Sequence, residues 1–195
     1  MTIDERILSA FRDGFEAAKE GGVGDPTAMV LSTRHQDGTG VSARTVLLKD
    51  VDAAGFVFYT NTDSNKGQQL ARFPVAALVF PWLAIERQVI VEGRIETVTP
   101  AEADAYFASR PRGSQVGAWA SQQSRPLEQR SALEQSVKDA EERFAGKEVS
   151  RPAHWSGYRV IPHMVEFWYG RPYRLHDRHR WNWTGSKWQE QLLYP

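Results

Sequence analysis

The chain has 195 residues with 24 basic and 24 acidic side chains, so its formal net charge is zero. A balanced charge argues against a broad surface for nucleic acid or an anionic membrane, so any anion site must be local. The chain lacks cysteine, which excludes disulfides, thiolate nucleophiles and cysteine-ligated metals and fits a reducing cytoplasm. No apolar run approaches the roughly 18 residues of a membrane span. We expect one cytoplasmic domain over residues 1–195, with neither nucleic acid nor membrane as a partner.

The first 22 residues predict an amphipathic helix. Thr2 and Glu5 have the spacing of a capping box, and apolar residues then recur at the helical period from Ile3 to Ala18. Two glycines at 21 and 22 end the pattern. The Gly-Val-Gly that follows resembles part of a dinucleotide fingerprint, but that motif must follow a strand, so we interpret it as a helix end.

Residues 28–97 change to short β-rich runs broken by turn residues, which indicates meandering antiparallel strands. The predicted strands are Ala28–Thr33, Val41–Lys49, Phe56–Thr60, Val75–Phe80 and Gln88–Thr97. Between the third and fourth of them, Asp63 and Ser64 offer a cap for a short helix, Asn65–Arg72, with Lys66 in its first turn. A cationic helix start after a strand can hold a phosphate, although most capped helices bind nothing.

A strong helix start follows at Thr99, where a capping box to Glu102 is combined with proline at the first helical position. This helix is predicted to run to about Ser109. Tyr106 and Arg110 are four residues apart and should share a face, and Pro111 should end the helix and open a loop over residues 112–115. Phenol, guanidinium and serine hydroxyl groups together suit a phosphate, and the alternative is an ordinary polar helix end. A longer helix is predicted over Leu127–Phe144.

The last part of the chain, residues 157–195, returns to strands. After turn-forming residues 169–172, the run Arg174-Leu175-His176-Asp177-Arg178 predicts the second arm of a hairpin. Strand alternation would place Arg174, His176 and Arg178 on one face, which suits an anionic, electron-rich small molecule. The alternative is a solvated strand face.

Two kinds of chemistry have no support in the sequence. The five histidines show no zinc spacing with a third ligand, so no metal site is expected, and no Gly-x-Ser-x-Gly elbow is present. The side chains offer acids, bases and anion binders but little redox reactivity. A bound organic cofactor would have to supply it.

Eight ordered blocks of sequence carry a family resemblance. They are Arg44 to Lys49, Phe58 to Asn61, Phe80 to Trp82, Glu86 to Val89, Tyr106 to Gln115, Gln123 with Ser124, Glu166 to Trp168 and Arg174 to Arg178. Together they resemble the pyridoxamine 5′-phosphate oxidase family from about residue 28 to the C-terminus. The runs around Ser109 and Arg174 distinguish this family from looser flavin-binding relatives.

The resemblance implies the FMN-binding split β-barrel, a mainly β fold with flanking helices (α+β), and a homodimer with FMN at the subunit interface. It also implies oxidation of pyridoxine or pyridoxamine 5′-phosphate to pyridoxal 5′-phosphate, with dioxygen as acceptor and release of hydrogen peroxide. Residues 157–195 would complete the active site. FMN contacts would fall on Arg44, Thr45, Val46, Leu47, Leu48, Lys49, Tyr59, Thr60, Lys66, Gln88, Gln123, Ser124, Trp168 and Arg178. Substrate contacts would fall on Lys49, Tyr106, Arg110, Ser114, Arg174 and His176, the last two being catalytic and flanking the reacting end of the pyridine ring.

Physical chemistry supports these roles. Two phosphate monoesters need two anion pockets, which fits one basic cluster of Arg44 with Lys66 and another of Lys49 with Arg110. Arg44 and Lys49 are five residues apart, so a regular strand would aim them to opposite faces unless a bulge or the dimer geometry intervenes. His176 is either a proton acceptor or a group that orients the ring.

Two departures from the family pattern and two alternative functions remain. Asn65 stands where the family commonly has arginine, and Leu192 stands at the arginine of a common C-terminal Arg-Leu-x-Pro. The first departure bears on FMN phosphate binding. The alternatives are a split-barrel flavoenzyme with another substrate, of the phenazine-pathway type, and a carrier of flavin or pyridoxal phosphate without turnover.

Overall fold

The computed structural model describes residues 1–195 and contains nine strands and five α-helices. The helices are α1 Glu5–Glu20, α2 Asn65–Arg72, α3 Pro100–Ser109, α4 Arg112–Ala120 and α5 Arg130–Arg143. The strands are β1 Ala28–Arg34, β2 Val41–Leu47, β3 Asp50–Asp52, β4 Gly55–Asn61, β5 Val75–Trp82, β6 Arg87–Thr97, β7 Trp155–Tyr169, β8 Asp177–Trp183 and β9 Trp188–Leu193. Short 3₁₀ turns occupy Leu83–Ile85 and Pro172–Arg174.

All nine strands form one antiparallel sheet in the order β2-β1-β5-β6-β7-β4-β3, and β8 and β9 extend it from β7. The long strand β7 organises the sheet, because its first half pairs with β4 and its second half with β8. The register of β6 on β7 shifts between Glu92 and Gly93. A Cβ at Gly93 would lie 2.4 Å from the carbonyl oxygen of Ile161, so only glycine permits this close approach. The bulge helps the sheet to curl.

The main core lies between α1 and the curled sheet. The ring of Phe11 on α1 lies 5.1 Å from those of Phe56 and Phe80 and 5.6 Å from that of Trp82, and all four side chains are buried. Each such side chain contributes about 1.5–3 kcal/mol by leaving water. The indole of Trp188 on β9 donates to the carbonyl of Thr2 at 2.9 Å, so the two ends of the chain meet on this core.

A second, smaller apolar cluster joins α3, α4 and α5 to the start of β7. Its buried members are Phe107, Val116, Ala120, Ala140, Phe144, Val149 and Trp155. Arg112 strengthens the cluster by donating to the carbonyls of Phe144 at 2.7 Å and Lys147 at 2.9 Å, where α5 ends. This packing fixes α3 and α4 beside the mouth of the curled sheet.

Local capping signals predicted α2 and α3 well. Ser64 caps α2 by accepting from the backbone of Gly67, and Thr99 and Glu102 form the expected capping box on α3. The predicted cap of α1 is wrong: Asp4, not Thr2, accepts from the backbone of Arg6 at 2.9 Å, because the helix begins at Glu5 and Asp4 stands directly before it. Helix α5 also begins at Arg130 rather than near Leu127.

Two predicted segments differ from the structure near Pro111 and Pro172. The expected loop over residues 112–115 is the first turn of α4, because Pro111 has a φ of −53° and can precede a helix as well as end one. The expected strand through Arg174 begins only at Asp177. Tyr173 and Arg174 both have positive φ, 60° and 63°, which ends the extended chain. Arg174, His176 and Arg178 therefore do not share a strand face.

Candidate active site

A cavity of about 630 Å³ lies where β2, the end of β4, α2, α3, α4 and the start of β7 meet. It is lined by eleven of the residues expected in the site: Thr45, Val46, Leu47, Lys49, Tyr59, Thr60, Lys66, Tyr106, Arg110, Ser114 and Gln123. It is also lined by six residues that were not predicted as cofactor or substrate contacts, namely Asn61, Pro111, Gly117, Ala118, Ser121 and Trp155. Its size and mixed lining are those of a small-molecule site.

Lys66 supplies the first positive charge. Its Nζ donates to three neutral oxygens, Oε1 of Gln123 at 2.9 Å, Oγ1 of Thr60 at 3.2 Å and Oγ of Ser64 at 3.3 Å. Burial, assisted by the nearby charge of Arg44, lowers the pKa of Lys66 to about 8. No carboxylate forms a salt bridge with it. The site therefore holds a cation that an anionic ligand would stabilise.

Arg44 lies beside this cation without lining the cavity. Its guanidinium donates to the carbonyl of Leu31 at 3.2 Å, to the hydroxyls of Thr33 and Ser42, and to Oε1 of Gln69 at 3.4 Å. Burial lowers the pKa of Arg44, and its partners are all neutral. Two like charges without a counter-ion make this part of the site strongly receptive to an anion.

Arg110 supplies the strongest signal for an anion. It follows α3 directly, and its Nη1 is buried without a hydrogen-bond partner. Burial lowers the pKa of Arg110. A buried donor without a partner costs about 1–3 kcal/mol, more when it is charged, so an anionic ligand that accepts from it recovers that cost.

Parallel aromatic rings form one wall of the cavity. The ring of Tyr59 lies 4.1 Å from that of Tyr106 and 5.3 Å from that of Trp155, with interplanar angles of 17° and 9°. Gly157 makes room for this stack, because a Cβ there would lie 2.6 Å from the Tyr59 ring. Burial raises the pKa of Tyr59, so its phenol stays protonated at neutral pH. Such a wall offers a flat apolar surface with hydroxyl groups at its edge.

Lys49 also lines the cavity and lies on the same side of the chain as Thr45 and Leu47. Strand β2 ends at Leu47, and Leu48 turns inward to line a neighbouring smaller cavity. Exposed and more buried residues alternate without a break from Val41 to Lys49, so Arg44 and Lys49 face opposite sides of the chain, as their spacing of five residues predicts, and only Lys49 lines the cavity. Lys49, Lys66 and Arg110 all line one cavity, so cations of both predicted clusters lie around a single space.

A second group of expected residues lies elsewhere. Gln88 pairs with Trp168 across β6 and β7, Trp168 pairs with Arg178 on β8, and the ring of His176 lies 4.5 Å from that of Trp168. Arg174 is exposed in the adjoining turn. Trp168 lies 13 residues after Trp155 in β7 (155 to 168), so about 40 Å of strand separates the two residues. One chain therefore does not bring this group to the cavity. Ser124 also lies outside it, with a positive φ of 73° in the loop after α4.

His176 is held by the backbone of the preceding turn. The N–H of Arg171 donates to Nδ1 of His176 at 3.1 Å, and the side chain of Arg171 donates to Asp177 at 2.7 Å and closes the turn. Since Nδ1 accepts, the proton of the neutral ring lies on Nε2. The free nitrogen of His176 is therefore a donor, which favours an orienting role over that of a proton acceptor.

Glu166 is a residue whose importance sequence reasoning missed. It is 1% exposed and accepts from Arg178 at 2.7 Å and from Arg180 at 2.7 and 2.9 Å. Burial alone would raise the pKa of Glu166, yet these two arginines hold it below its ordinary value. The available signal was a carboxylate inside the otherwise apolar run Met164–Trp168, since a buried charge needs partners. Glu166 fixes the direction of Arg178.

Comparisons with solved structures define the class of protein. The fold is similar to PhzG from Burkholderia lata 383, solved in complex with tetrahydrophenazine-1-carboxylic acid, with a TM-score of 0.90 and 28% identity over 96% of this chain and 92% of that chain. It is also similar to a pyridoxamine 5′-phosphate oxidase-related, FMN binding protein from Nostoc punctiforme, with a TM-score of 0.74 and 14% identity over 95% and 97% of the two chains. The curled sheet is thus a split barrel, as the sequence blocks predicted.

Sequence comparisons then give the family. Residues 15–144 match the family model described as pyridoxamine 5′-phosphate oxidase, and residues 155–195 match the pyridoxine 5′-phosphate oxidase C-terminal dimerisation region. The pyridoxine/pyridoxamine 5′-phosphate oxidase of Myxococcus xanthus is 54% identical over 188 residues, 96% of this chain and 91% of that protein. The one from Azorhizobium caulinodans is 52% identical over 196 residues, 100% and 92% of the two chains. The chain belongs to the pyridoxamine 5′-phosphate oxidase family of oxidoreductases, and none of its helices is both long and apolar enough to cross a membrane.

Proposed function

We propose that the chain uses FMN to oxidise pyridoxine and pyridoxamine 5′-phosphates to pyridoxal 5′-phosphate in the cytoplasm, passing the electrons to dioxygen and releasing hydrogen peroxide. The observation that carries this proposal is the guanidinium of Arg110, whose Nη1 is buried without a partner in a cavity shared with Lys49 and Lys66. Three cations without carboxylates fit ligands that bring phosphate groups. The family membership supports the activity and the class of cofactor.

The residues of the cavity fit a flavin phosphate. Lys66, Thr60 and Gln123 offer an ammonium, a hydroxyl and an amide within one hydrogen-bonded group, and Arg44 adds a second charge behind them. The edge strand β2 contributes Thr45, Val46 and Leu47 to the lining of the same cavity. When bound, FMN supplies the redox chemistry that the side chains lack, by accepting a hydride from the exocyclic carbon of the substrate.

The substrate phosphate fits the other group of cations. Arg110 offers unused N–H donors, Lys49 a mobile ammonium, and Tyr106 and Ser114 hydroxyl groups around the same cavity. Arginine and lysine act differently here, because guanidinium gives a planar two-point contact and ammonium a point charge. Holding the phosphate fixes the pyridine ring relative to the flavin, and this positioning is the main catalytic contribution that protein groups make to hydride transfer.

We propose that a second copy of the chain completes each cavity. Gln88, Trp168, Arg174, His176 and Arg178 lie about 40 Å of strand away from the cavity of their own chain, so they can serve FMN and substrate only across a subunit interface. The match of residues 155–195 to a dimerisation region supports this arrangement, with residues 1–195 acting as one domain and residues 157–195 completing the partner's site. The C-terminal part also exposes apolar side chains, Tyr173, Leu175, Leu192 and Tyr194.

Within such a site, Arg174 and His176 are the proposed catalytic pair. His176 offers Nε2–H to a polar atom of the substrate and so orients its reacting end. Arg174 adds a positive charge beside the ring, and Glu166 holds Arg178 toward the cofactor. These groups orient the substrate and stabilise charge.

Peroxide release by the purified protein tests the proposal. With FMN and pyridoxamine or pyridoxine 5′-phosphate, we expect hydrogen peroxide and pyridoxal 5′-phosphate in equal amounts. Absence of both products would contradict the activity. A phenazine-type substrate is the second candidate because of the similarity to PhzG, and oxidation of tetrahydrophenazine-1-carboxylic acid in place of the phosphorylated vitamers would favour it.

A further inference from the structure

Trp155 lies where it can control the position of Arg110. It is the first residue of β7, is 6% exposed and lines the cavity. The guanidinium carbon of Arg110 lies 4.7 Å from the centre of its ring. The same guanidinium lies 5.4 Å from the ring of Phe107. The positive charge of Arg110 therefore lies against two aromatic rings, those of Trp155 and Phe107.

Arg110 has little else to hold it. It forms no salt bridge, and Nη1 is buried without an acceptor. Its backbone has left the helix, with a ψ of 148°, so the side chain begins beyond the last turn of α3. A long, charged side chain without hydrogen bonds would otherwise occupy several rotamers. The attraction between a cation and an aromatic face grows when both are withdrawn from water. Here Trp155 is 6% exposed and Nη1 of Arg110 is buried.

Trp155 is itself rigidly placed. Arg151 donates to its carbonyl at 2.7 Å, and the ring of Phe107 meets it edge-on at 5.1 Å. Its indole is nearly parallel to the rings of Tyr59 and Tyr106, with interplanar angles of 9° and 8°. A fixed ring of this kind can keep a guanidinium in one plane.

We propose that Trp155 is a positioning residue for substrate binding, because its indole face holds the Arg110 guanidinium charged, extended and aimed into the cavity. The proposal rests on the proposed function, since it assigns Arg110 to the substrate phosphate. Trp155 acts through Arg110 and touches neither the reacting carbon nor the redox step. Its loss should therefore weaken the binding of phosphorylated ligands and spare turnover at saturation.

A double-mutant cycle tests the proposal by isothermal titration calorimetry of the FMN-loaded protein with pyridoxal 5′-phosphate. In the native background, Trp155→Leu should weaken binding by about 5- to 30-fold and Trp155→Phe by about 2- to 5-fold, as expected for a desolvated cation–aromatic contact. In an Arg110→Met background, Trp155→Leu should change the affinity less than about twofold. An equal loss in both backgrounds would overturn the proposal and leave Trp155 as a packing residue.

Trp119 provides a matched control. Arg143 lies 4.2 Å from its ring, and Trp119 packs against the same small apolar cluster as Trp155, but it does not line the main cavity. Trp119→Leu should therefore leave the affinity for pyridoxal 5′-phosphate unchanged, and a loss equal to that of Trp155→Leu would contradict the proposal. Thermal melting distinguishes a folding defect from a loss of affinity. If Trp155→Leu does not fold, Trp155→Phe, which keeps an aromatic ring, takes its place in the cycle. Titration with inorganic phosphate distinguishes the two failures: if the cycle holds for phosphate while the native enzyme produces no peroxide, only the proposed activity is wrong.

Discussion

The pKa of Lys66 predicts how FMN binding changes with pH. Burial lowers this pKa from 10.5 to about 8 in the protein without ligand, so the ammonium is about nine-tenths charged at pH 7 and about one-tenth charged at pH 9. A phosphate dianion favours the charged form and raises the pKa again on binding. If FMN requires charged Lys66, its dissociation constant should rise about tenfold between pH 7 and pH 9.

Fluorescence titration of the apo-protein with FMN at half-unit steps of pH measures this dependence. Lys66→Arg is the matched control, because a guanidinium stays charged throughout this range and should give a nearly flat profile. Lys66→Gln should bind FMN more weakly at every pH and also give a flat profile. The direction follows from the lowered pKa: affinity is full below about pH 8 and declines above it. A native profile that is flat from pH 7 to 9, or a slope that persists in Lys66→Arg, would refute the reasoning.

Three further outcomes are expected. Arg110→Ala should weaken the binding of pyridoxal 5′-phosphate by about 10- to 150-fold, because a charge-assisted hydrogen bond is worth about 1.5–3 kcal/mol, and should weaken FMN binding much less. Calorimetry measures both affinities. Equal losses for the two ligands would show that Arg110 is not specific to the substrate phosphate. His176→Gln should keep most of the turnover, because glutamine places its N–H near the position of Nε2, whereas His176→Asn should lose about tenfold or more, because asparagine places its N–H near Nδ1. Steady-state kinetics measures both variants. The reverse order would contradict a proton on Nε2. Asn65→Arg should tighten FMN binding by about 2- to 5-fold with an unchanged Michaelis constant for substrate, because position 65 begins α2 one residue before Lys66; unchanged FMN affinity in a fluorescence titration would show that position 65 does not act on the cofactor.

Signals that are local in sequence were sufficient for much of the fold. The caps at Ser64 and Thr99 predicted the starts of α2 and α3, because each cap is satisfied within a few residues. The turn at residues 172–176 was mispredicted, because its positive φ angles and its hydrogen bonds from Arg171 depend on groups that alternation does not describe. Proline was likewise an ambiguous signal at Pro111, which precedes a helix here.

The sequence predicted many residues of the site but not how they are arranged in space. A lysine at a helix start and an arginine at a helix end indicated the anion chemistry around Lys66 and Arg110, and the structure brings both to one cavity. No local pattern could show that Trp168 and Trp155 lie at opposite ends of one long strand. Trp155 also escaped notice because a tryptophan in a β-rich protein usually fills the core, and its contact with Arg110 joins distant parts of the chain.

The central claim is that each active site is built from two copies of the chain, and subunit complementation tests it most directly. Arg110→Met removes a residue of the cavity and His176→Ala removes one of the distant group, so each homodimer should release little peroxide from pyridoxamine 5′-phosphate. In a mixed dimer of shared sites, one of the two sites combines native Arg110 with native His176. Random re-association of equal amounts should therefore restore about one quarter of native activity, since about half of the dimers are mixed and half of their sites are intact. Activity that stays at the level of the two parent variants, with subunit exchange verified by differently tagged chains, would contradict the account.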